Sequence, residues 1–405
     1  MYKTVKKIMC VLMAVMMMAS VVLPAFAANE NNSDKLLQFG ADGKFNIMHV
    51  TDTHIDDDNI DDTVWLLAAA ADRENPDLVV ITGDNVQNCD DAAKTKSYID
   101  RLMGVYESRN IPVAVTFGNH DSEVGAMSRE DLMAHYNTFD CSVSVDDGEA
   151  LSGCGTYNLP VLSSDGKQVK FNVWVFDSND YDGNGHYGNV KKDQVEWYVQ
   201  QSRQLTEANG GEKVYSLAFQ HIIVPEVYDA LKKANHHTLY SFEHINNKGE
   251  YYMFDPNGVN FGTLNETPCS GYINEGQFDA MVECGDVLAM FSGHDHTNGF
   301  GVRHKGIDIS NTVSTRYNRD SFSTQYGYRM ITVDEKDTSV YTTSIMHWYN
   351  MFSNADVKAL RDAGDDFGAG LVRDILMRGP WQKLLRVLGV AFTKLLTGRT
   401  VSFPD

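Results

Sequence analysis

Short apolar runs ending in polar clusters recur along this chain. Phe45 to Val50 (FNIMHV) ends at Thr51-Asp52, Leu78 to Thr82 (LVVIT) ends at Gly83-Asp84-Asn85, and Ile111 to Phe117 (IPVAVTF) ends at Gly118-Asn119-His120-Asp121. Their length and apolar continuity predict buried strands. Between them, the Ala- and Leu-rich stretch Thr63 to Asp72 predicts a helix with Asp61 or Asp62 as its cap, and Ala92 to Arg109 is helical in pattern. This alternation argues for a layered α/β sheet.

The middle of the chain is richer in strands. Tyr157 to Leu162 and Val169 to Phe176 flank Ser164-Asp165-Gly166-Lys167, a hairpin signal. A helix is expected from Lys191 to Glu207 and a strand from Val214 to Phe219, ending at Gln220-His221. Asn235 to Pro268 is polar, aromatic and turn-rich, and reads as an insertion over one face. A helix from Gly276 to Cys284 precedes the strand Val287 to Phe291, which ends at Gly293-His294-Asp295-His296. Short strands then run to about Trp348, and no internal repeat is visible. Each polar cluster therefore follows the carboxyl end of a strand, where ligand sites of open α/β sheets form. Distant segments can converge there.

The donors in these clusters are imidazole, carboxylate and amide oxygen without thiolate: Asp52, His54, Asp84, Asn119, His221, His294 and His296, with His120 beside them. Such a set suits Zn, Mn or Fe. A carboxylate such as Asp84 can bridge two cations, and two cations about 3.5–4 Å apart can polarise a phosphoryl oxygen and generate hydroxide from water. Glycines before Asp84, Asn119 and His294 permit tight turns that bring backbones close to the centre.

In this order, Asp-x-His, Gly-Asp-x, Gly-Asn-His-Asp, a lone His and Gly-His-x-His resemble the calcineurin-like metallophosphoesterase superfamily, over Asp52 to His296. The resemblance implies a layered β-sandwich flanked by helices. It also implies two divalent or mixed-valence ions, with phosphate esters hydrolysed by attack of metal-bound hydroxide. Position by position, Asp52, His54, Asp84 and His296 would hold one ion, and Asp84, Asn119, His221 and His294 the other. His120 would stabilise charge on the phosphate and assist the leaving group as a general acid, with Asp121 orienting its imidazole. Phe176-Asp177-Ser178, Tyr187-Gly188, Asp193-Gln194-Val195-Glu196-Trp197 and Gly285-Asp286-Val287 resemble a purple-acid-phosphatase-like branch. True purple acid phosphatases carry an iron-binding tyrosine three residues after the second-motif aspartate. Gln87 stands there in this chain, so no tyrosinate–iron site is expected. Monoester and diester substrates both fit. The competing reading is a non-catalytic cell-surface binding protein that keeps the metal site as scaffold, and the presence of His120 and Asp84 argues against it.

Charge and termini change the picture in two places. Lys3, Lys6 and Lys7, the apolar run Ile8 to Leu23 and Ala25-Phe26-Ala27 read as a signal peptide over residues 1–27, predicting export to the cell surface, the periplasm or the medium. Its removal takes three Lys and no carboxylate, moving the formal charge from −21 to −24. So acidic a body disfavours nucleic acid as partner or substrate. The catalytic domain is placed at residues 36–348. A C-terminal amphipathic helical segment follows at 355–405, where Trp381, Leu384, Leu385, Leu388, Phe392, Leu395 and Leu396 recur at helical spacing. Within 371–399, six basic residues stand against one acidic. This segment either lies on an anionic membrane or docks on the acidic parent domain, and docking is the preferred reading.

The remaining chemistry-bearing residues read more plainly. After loss of Cys10, five cysteines are left, and Cys141–Cys154 and Cys269–Cys284 are candidate disulfides with Cys89 the odd thiol; small buried hydrophobes are the equal alternative. His49, His135, His236, His237, His244, His304 and His347 read as structural. His186, in the loop from Asp182 to His186, is a secondary candidate for substrate contact, its structural reading being preferred; Asn311, Arg316 and Arg319 could reach a substrate phosphate, with ordinary surface placement the equal alternative. The acidic run Asp56-Asp57-Asp58 lacks the glycine and terminal Glu of a calcium loop and reads as a solvated loop.

Overall fold

Alternate residues of the central strands face two different cores, and that alternation sets the layers. The computed structural model describes residues 36–87, 89–145, 151–317 and 326–351. The expected signal peptide at residues 1–27, the segment 355–405 with its expected membrane-or-docking stretch 371–399, and Arg319 lie outside the described residues. Among the described residues, no helix is long and apolar enough to cross a membrane.

Strands β1 (Leu37–Gln38), β2 (Lys44–Val50), β3 (Leu78–Ile81) and β4 (Val113–Val115) come first. Helices α1 (Ile60–Glu74) and α2 (Ala92–Glu107) separate the last three, and α3 (Arg129–Tyr136) follows. Next come the hairpin β5 (Tyr157–Leu162) and β6 (Val169–Val175), helix α4 (Lys192–Ala208) and strand β7 (Ser216–Phe219). Four short strands, β8 (Lys232–Ala234), β9 (Phe242–Glu243), β10 (Tyr251–Met253) and β11 (Asn260–Thr263), lead to α5 (Gln277–Cys284). The last strands are β12 (Val287–Ser292), β13 (Gly299–His304), β14 (Ile307–Asn311), β15 (Gly327–Asp334) and β16 (Asp337–His347), before the single turn α6 (Trp348–Met351).

Two sheets carry the molecule, one ordered β16-β15-β2-β3-β4 and one ordered β1-β5-β6-β7-β12-β14-β13-β11. On β3, Leu78 and Val80 point between the sheets, where they meet Phe45 and Ile47 of β2 and Val173, Leu217, Phe219, Ala289 and Phe291 from the facing sheet. Val79 and Ile81 point the other way, against Leu66 and Leu67 of α1 and Ile99 and Leu102 of α2. The second sheet repeats the device: Val173 and Val175 face inward, while Trp174 packs edge-on against Tyr198 of α4 at 4.9 Å between centroids. The result is a helix–sheet–sheet–helix stack, with one apolar layer between the sheets and one between each sheet and its helices. Strands β2, β3 and β4 run parallel in one sheet, and β7 runs parallel to β12 in the other. Their carboxyl ends therefore share one edge.

Three expectations need correcting. Helix α1 begins at Ile60, not Thr63, with Asn59 before it and Asp61 and Asp62 in its first turn; the Asn59 amide instead donates to the His54 carbonyl at 2.8 Å. Asn235 to Pro268 is only partly an insertion: β8, β10 and β9 form a small separate sheet, but β11 pairs with β13 and extends the main one. None of Cys89, Cys141, Cys154, Cys269 and Cys284 is in a disulfide. Cys141 and Cys154 instead pack within the helix-side core.

Candidate metal centre

The five loops leaving β2, β3, β4, β7 and β12 all turn at the shared edge. Asp52, His54, Asp84 and His294 hold left-handed backbones, with φ of 52°, 40°, 51° and 72°. Non-glycine residues avoid that region, so the surroundings must enforce it. The turns are also packed too closely for side chains at the flanking glycines: a Cβ on Gly118 would lie 2.2 Å from Asp84 Oδ1, and one on Gly293 1.9 Å from Thr51 Oγ1. Asp121 closes the arrangement from behind. Its Oδ2 accepts from the backbone N–H of Asp84 and Gly118, and its Oδ1 from that of Asn85, each at 2.8 Å.

The turns gather two groups of donors. Asp52, His54 and His296 form one, and Asp84, His221 and His294 the other, with the ligand atoms of each group within 4.8 Å of one another. Each group takes residues from both sheets. Asp84 Oδ2 lies 3.2 Å from His221 Nε2 and 3.8 Å from His54 Nε2, so one oxygen faces both groups. Asn119 lies in the same β4 loop as His120, whose backbone N–H donates to Asp84 Oδ1 at 2.8 Å.

The lone pairs point to what these groups can hold. His221 Nδ1 is 2.9 Å from the Thr82 carbonyl, which can only accept, so Nδ1 carries a proton and Nε2 is the nitrogen turned to Asp84. The Nε2 atoms of His54 and His296 are 2.9 Å apart. Asp52 Oδ1, Asn119 Oδ1, His221 Nε2 and His294 Nε2 are buried without a hydrogen-bond partner. Buried acceptors aimed at one another are costly unless a proton or cation lies between them. Protons do this in part. Burial opposes a charge on His221, but Asp84 and Asp52 overcome it and raise its pKa to about 9. Burial, followed by the nearby His221, lowers His294 to about 3 and keeps it neutral. Burial raises the carboxyls of Asp52 and Asp84, but the histidines, His221 foremost, pull both below the usual range. Neutral imidazoles, ionised carboxylates and an amide oxygen are what two divalent cations require.

A profile of calcineurin-like phosphoesterases matches residues 45–298, more than half of the chain. The chain belongs to the calcineurin-like phosphoesterase family. It is 28% identical to "Probable inactive purple acid phosphatase 14" of Arabidopsis thaliana, over 67% of this chain and 71% of that protein. It is 26% identical to "Probable inactive purple acid phosphatase 29" of the same plant, over 67% and 72%. A dimetal phosphatase from Danio rerio is a looser likeness, with 14% identity, 75% and 99% of the two chains covered and a TM-score of 0.45.

Against this family's pattern, two sequence expectations fail and several residues gain a role. Asp121 does not orient His120; its carboxylate is taken up by the three backbone N–H groups above, and consecutive side chains diverge. The ring partner is Glu123, whose Oε2 meets His120 Nδ1. A Glu three residues on was the available signal. Asn311 does not reach toward a substrate: it is buried, and its amide donates to the carbonyls of Asp295, Asn298 and Thr312. Arg316 donates to Asp56 Oδ2 at 3.1 Å and Gln87 Oε1 at 3.2 Å, so the position of the iron-binding tyrosine holds an amide tied to a guanidinium. His186 Nδ1 is bonded to Asp182 at 2.8 Å and its ring is stacked on Tyr272. The motif acids outside the clusters are structural. Asp177 pairs with buried Arg129 at 2.6 Å, and Arg129 in turn donates to the Gly118 carbonyl. Asp286 accepts from the Tyr198 hydroxyl. Asp295 accepts from the Cys269 N–H at 3.0 Å.

Proposed function

We propose that this protein is an exported hydrolase of phosphate esters that works with two metal ions, Mn, Zn or Fe. Asp52, His54, Asp84 and His296 hold one ion, and Asp84, Asn119, His221 and His294 the other. The observation that carries the reading is the pair of donor groups meeting at Asp84 with their lone pairs buried and unpartnered. When bound, such ions supply Lewis acidity for a phosphoryl oxygen and lower the pKa of water.

The chain's own residues supply the rest. The fixed, left-handed turns hold the donors so that no reorganisation accompanies binding. Thr82 keeps a proton on His221 Nδ1, so Nε2 is the nitrogen that loses its proton to present a lone pair. His120 lies beside the first group, its ring 5.6 Å from that of His54. Partly open to solvent and held by Glu123 at Nδ1, it presents Nε2 to the departing oxygen and donates a proton there.

A non-catalytic scaffold is the second reading, favoured by the names of the Arabidopsis relatives. Metal-stripped protein reloaded with Mn, Zn or Fe decides between them, assayed on an aryl phosphomonoester and an aryl diester. Metal-dependent release of aryl alcohol, abolished by chelation, is expected; no turnover with any ion on either ester establishes the scaffold. Export is tested by the mass of the protein recovered from its own cell, which is expected to begin after residue 27. An intact Met1 removes that part of the reading.

A further inference from the structure

The second donor group is completed by an amide that must be turned the right way round. Asn119 offers oxygen on one side of its amide and nitrogen on the other, and only oxygen can face a cation. The structure fixes the choice through a residue 62 positions away: Asn119 Nδ2 donates to the Tyr181 hydroxyl at 2.9 Å. That leaves Asn119 Oδ1 buried and unpartnered.

The loop that carries Tyr181 is itself cross-linked by hydrogen bonds. Tyr181 and Tyr187 form a bridge across it. The Asp182 carboxylate gathers the backbone N–H groups of Asn184 and His186 and the His186 ring, at 2.8–2.9 Å. The Gly188 N–H closes onto the Asp180 carbonyl at 2.8 Å. The rings of Tyr181 and Tyr187 stack 5.9 Å apart, and Tyr187 meets His294 edge-on at 4.3 Å. One strap thus touches two members of the same donor group and, through these contacts, no member of the other.

We propose that Tyr181 is a positioning residue that sets the orientation of the Asn119 amide and, through it, the affinity of the second metal position alone. The proposal rests on the two-metal reading above. Its geometry makes a specific demand: a carboxylate at 119 has oxygen on both sides, so it would not need Tyr181 to turn it.

The test is titration of manganese into the metal-stripped full chain, followed by calorimetry and by electron paramagnetic resonance, which separates a coupled pair of ions from a lone one. Wild type is expected to take up two ions and show the coupled signal. Tyr181→Phe should weaken the second ion about 10–100-fold, as expected for loss of an outer partner of a ligand, leave the first unchanged, and show a lone-ion signal at one equivalent. Tyr187→Phe, which keeps the Asn119 bond, should behave as wild type. In an Asn119→Asp background the Tyr181→Phe effect should vanish. Wild-type affinity for both ions in Tyr181→Phe overturns the proposal while leaving the two-metal reading intact. An undiminished effect in the Asn119→Asp background also overturns it, showing that the tyrosine only stiffens the loop. Wild type that binds fewer than two ions removes the reading beneath it.

Discussion

His49 and His221 are both fully buried, yet they sit in opposite electrostatic states. His49 projects from β2 between the sheets, edge-on to Phe219 and Phe291. Both its nitrogens are used, Nδ1 with Thr312 and Nε2 with Thr82, each at 2.8 Å. Burial, and then the Arg329 guanidinium, lowers its pKa to about 3. His221, at the sheet edge, is held near 9 by Asp84 and Asp52 despite equal burial, and its Nε2 faces Asp84 Oδ2 at 3.2 Å. In the interior of the sandwich, His49 has both nitrogens satisfied and stays neutral. The edge collects opposite charges and leaves lone pairs exposed to one another. Burial alone marks neither; unpartnered donor atoms gathered into two adjoining groups mark the site.

The largest effect is expected where the two groups adjoin. Asp84→Asn removes the oxygen facing both donor groups, and about a 1000-fold loss of turnover is expected, equivalent to roughly 4 kcal/mol in the barrier. Circular dichroism should show the fold retained; activity within tenfold of wild type would erase the distinction between edge and interior.

Next is Arg129→Met. Asp177 would be left buried, its charge met only by the N–H groups of Cys154 and Asn179, and stability should fall by about 3–5 kcal/mol in urea unfolding. A loss below 1 kcal/mol would show that the pair behind the Gly118 loop does not hold it.

The neutral interior can be tested through pH. Folded His49 resists protonation down to about 3, whereas the unfolded ring protonates near 6.5. The unfolded chain then binds more protons between these values. The stability associated with a neutral His49 is complete above 6.5 and is lost as the pH falls toward 3. By pH 5 the loss is about 2 kcal/mol. His49→Gln does not titrate, so its deficit against wild type at pH 7.5 should shrink by that amount at pH 5; a constant gap would contradict a neutral His49.

The smallest effect expected is that of Glu123→Gln, about a tenfold fall in kcat on alkyl phosphates. Aryl esters, whose leaving groups need little help, should be nearly unaffected.

These contrasts also explain what could be read from the chain before folding. The gathering of Asp52, His54, Asp84, His221, His294 and His296 was legible because each follows an apolar run long enough to be a strand, and the ends of parallel strands share an edge. The layers were legible for the same reason, from runs such as LVVI buried on both faces. Partners were not. Asp121 is next to His120 in sequence, but adjacent side chains point apart, so the imidazole found Glu123 instead. Tyr181 carries no signal of its own, because a hydroxyl 62 residues from Asn119 is brought to it only by the way the second sheet stacks on the first. Cys141 and Cys154 looked pairable by spacing, but spacing does not fix which way a thiol points, and both lie in the helix-side core without a disulfide.

The left-handed turns at Asp52, His54, Asp84 and His294 set a limit on improvement of this protein by selection. Each carries about 1–2 kcal/mol of backbone strain that glycine would relieve. A library screened for heat resistance alone is therefore drawn toward glycine at the four positions where a donor atom is needed most. Robust, inert variants are the natural product of such a screen, and retaining the donors requires that ion uptake be scored alongside melting.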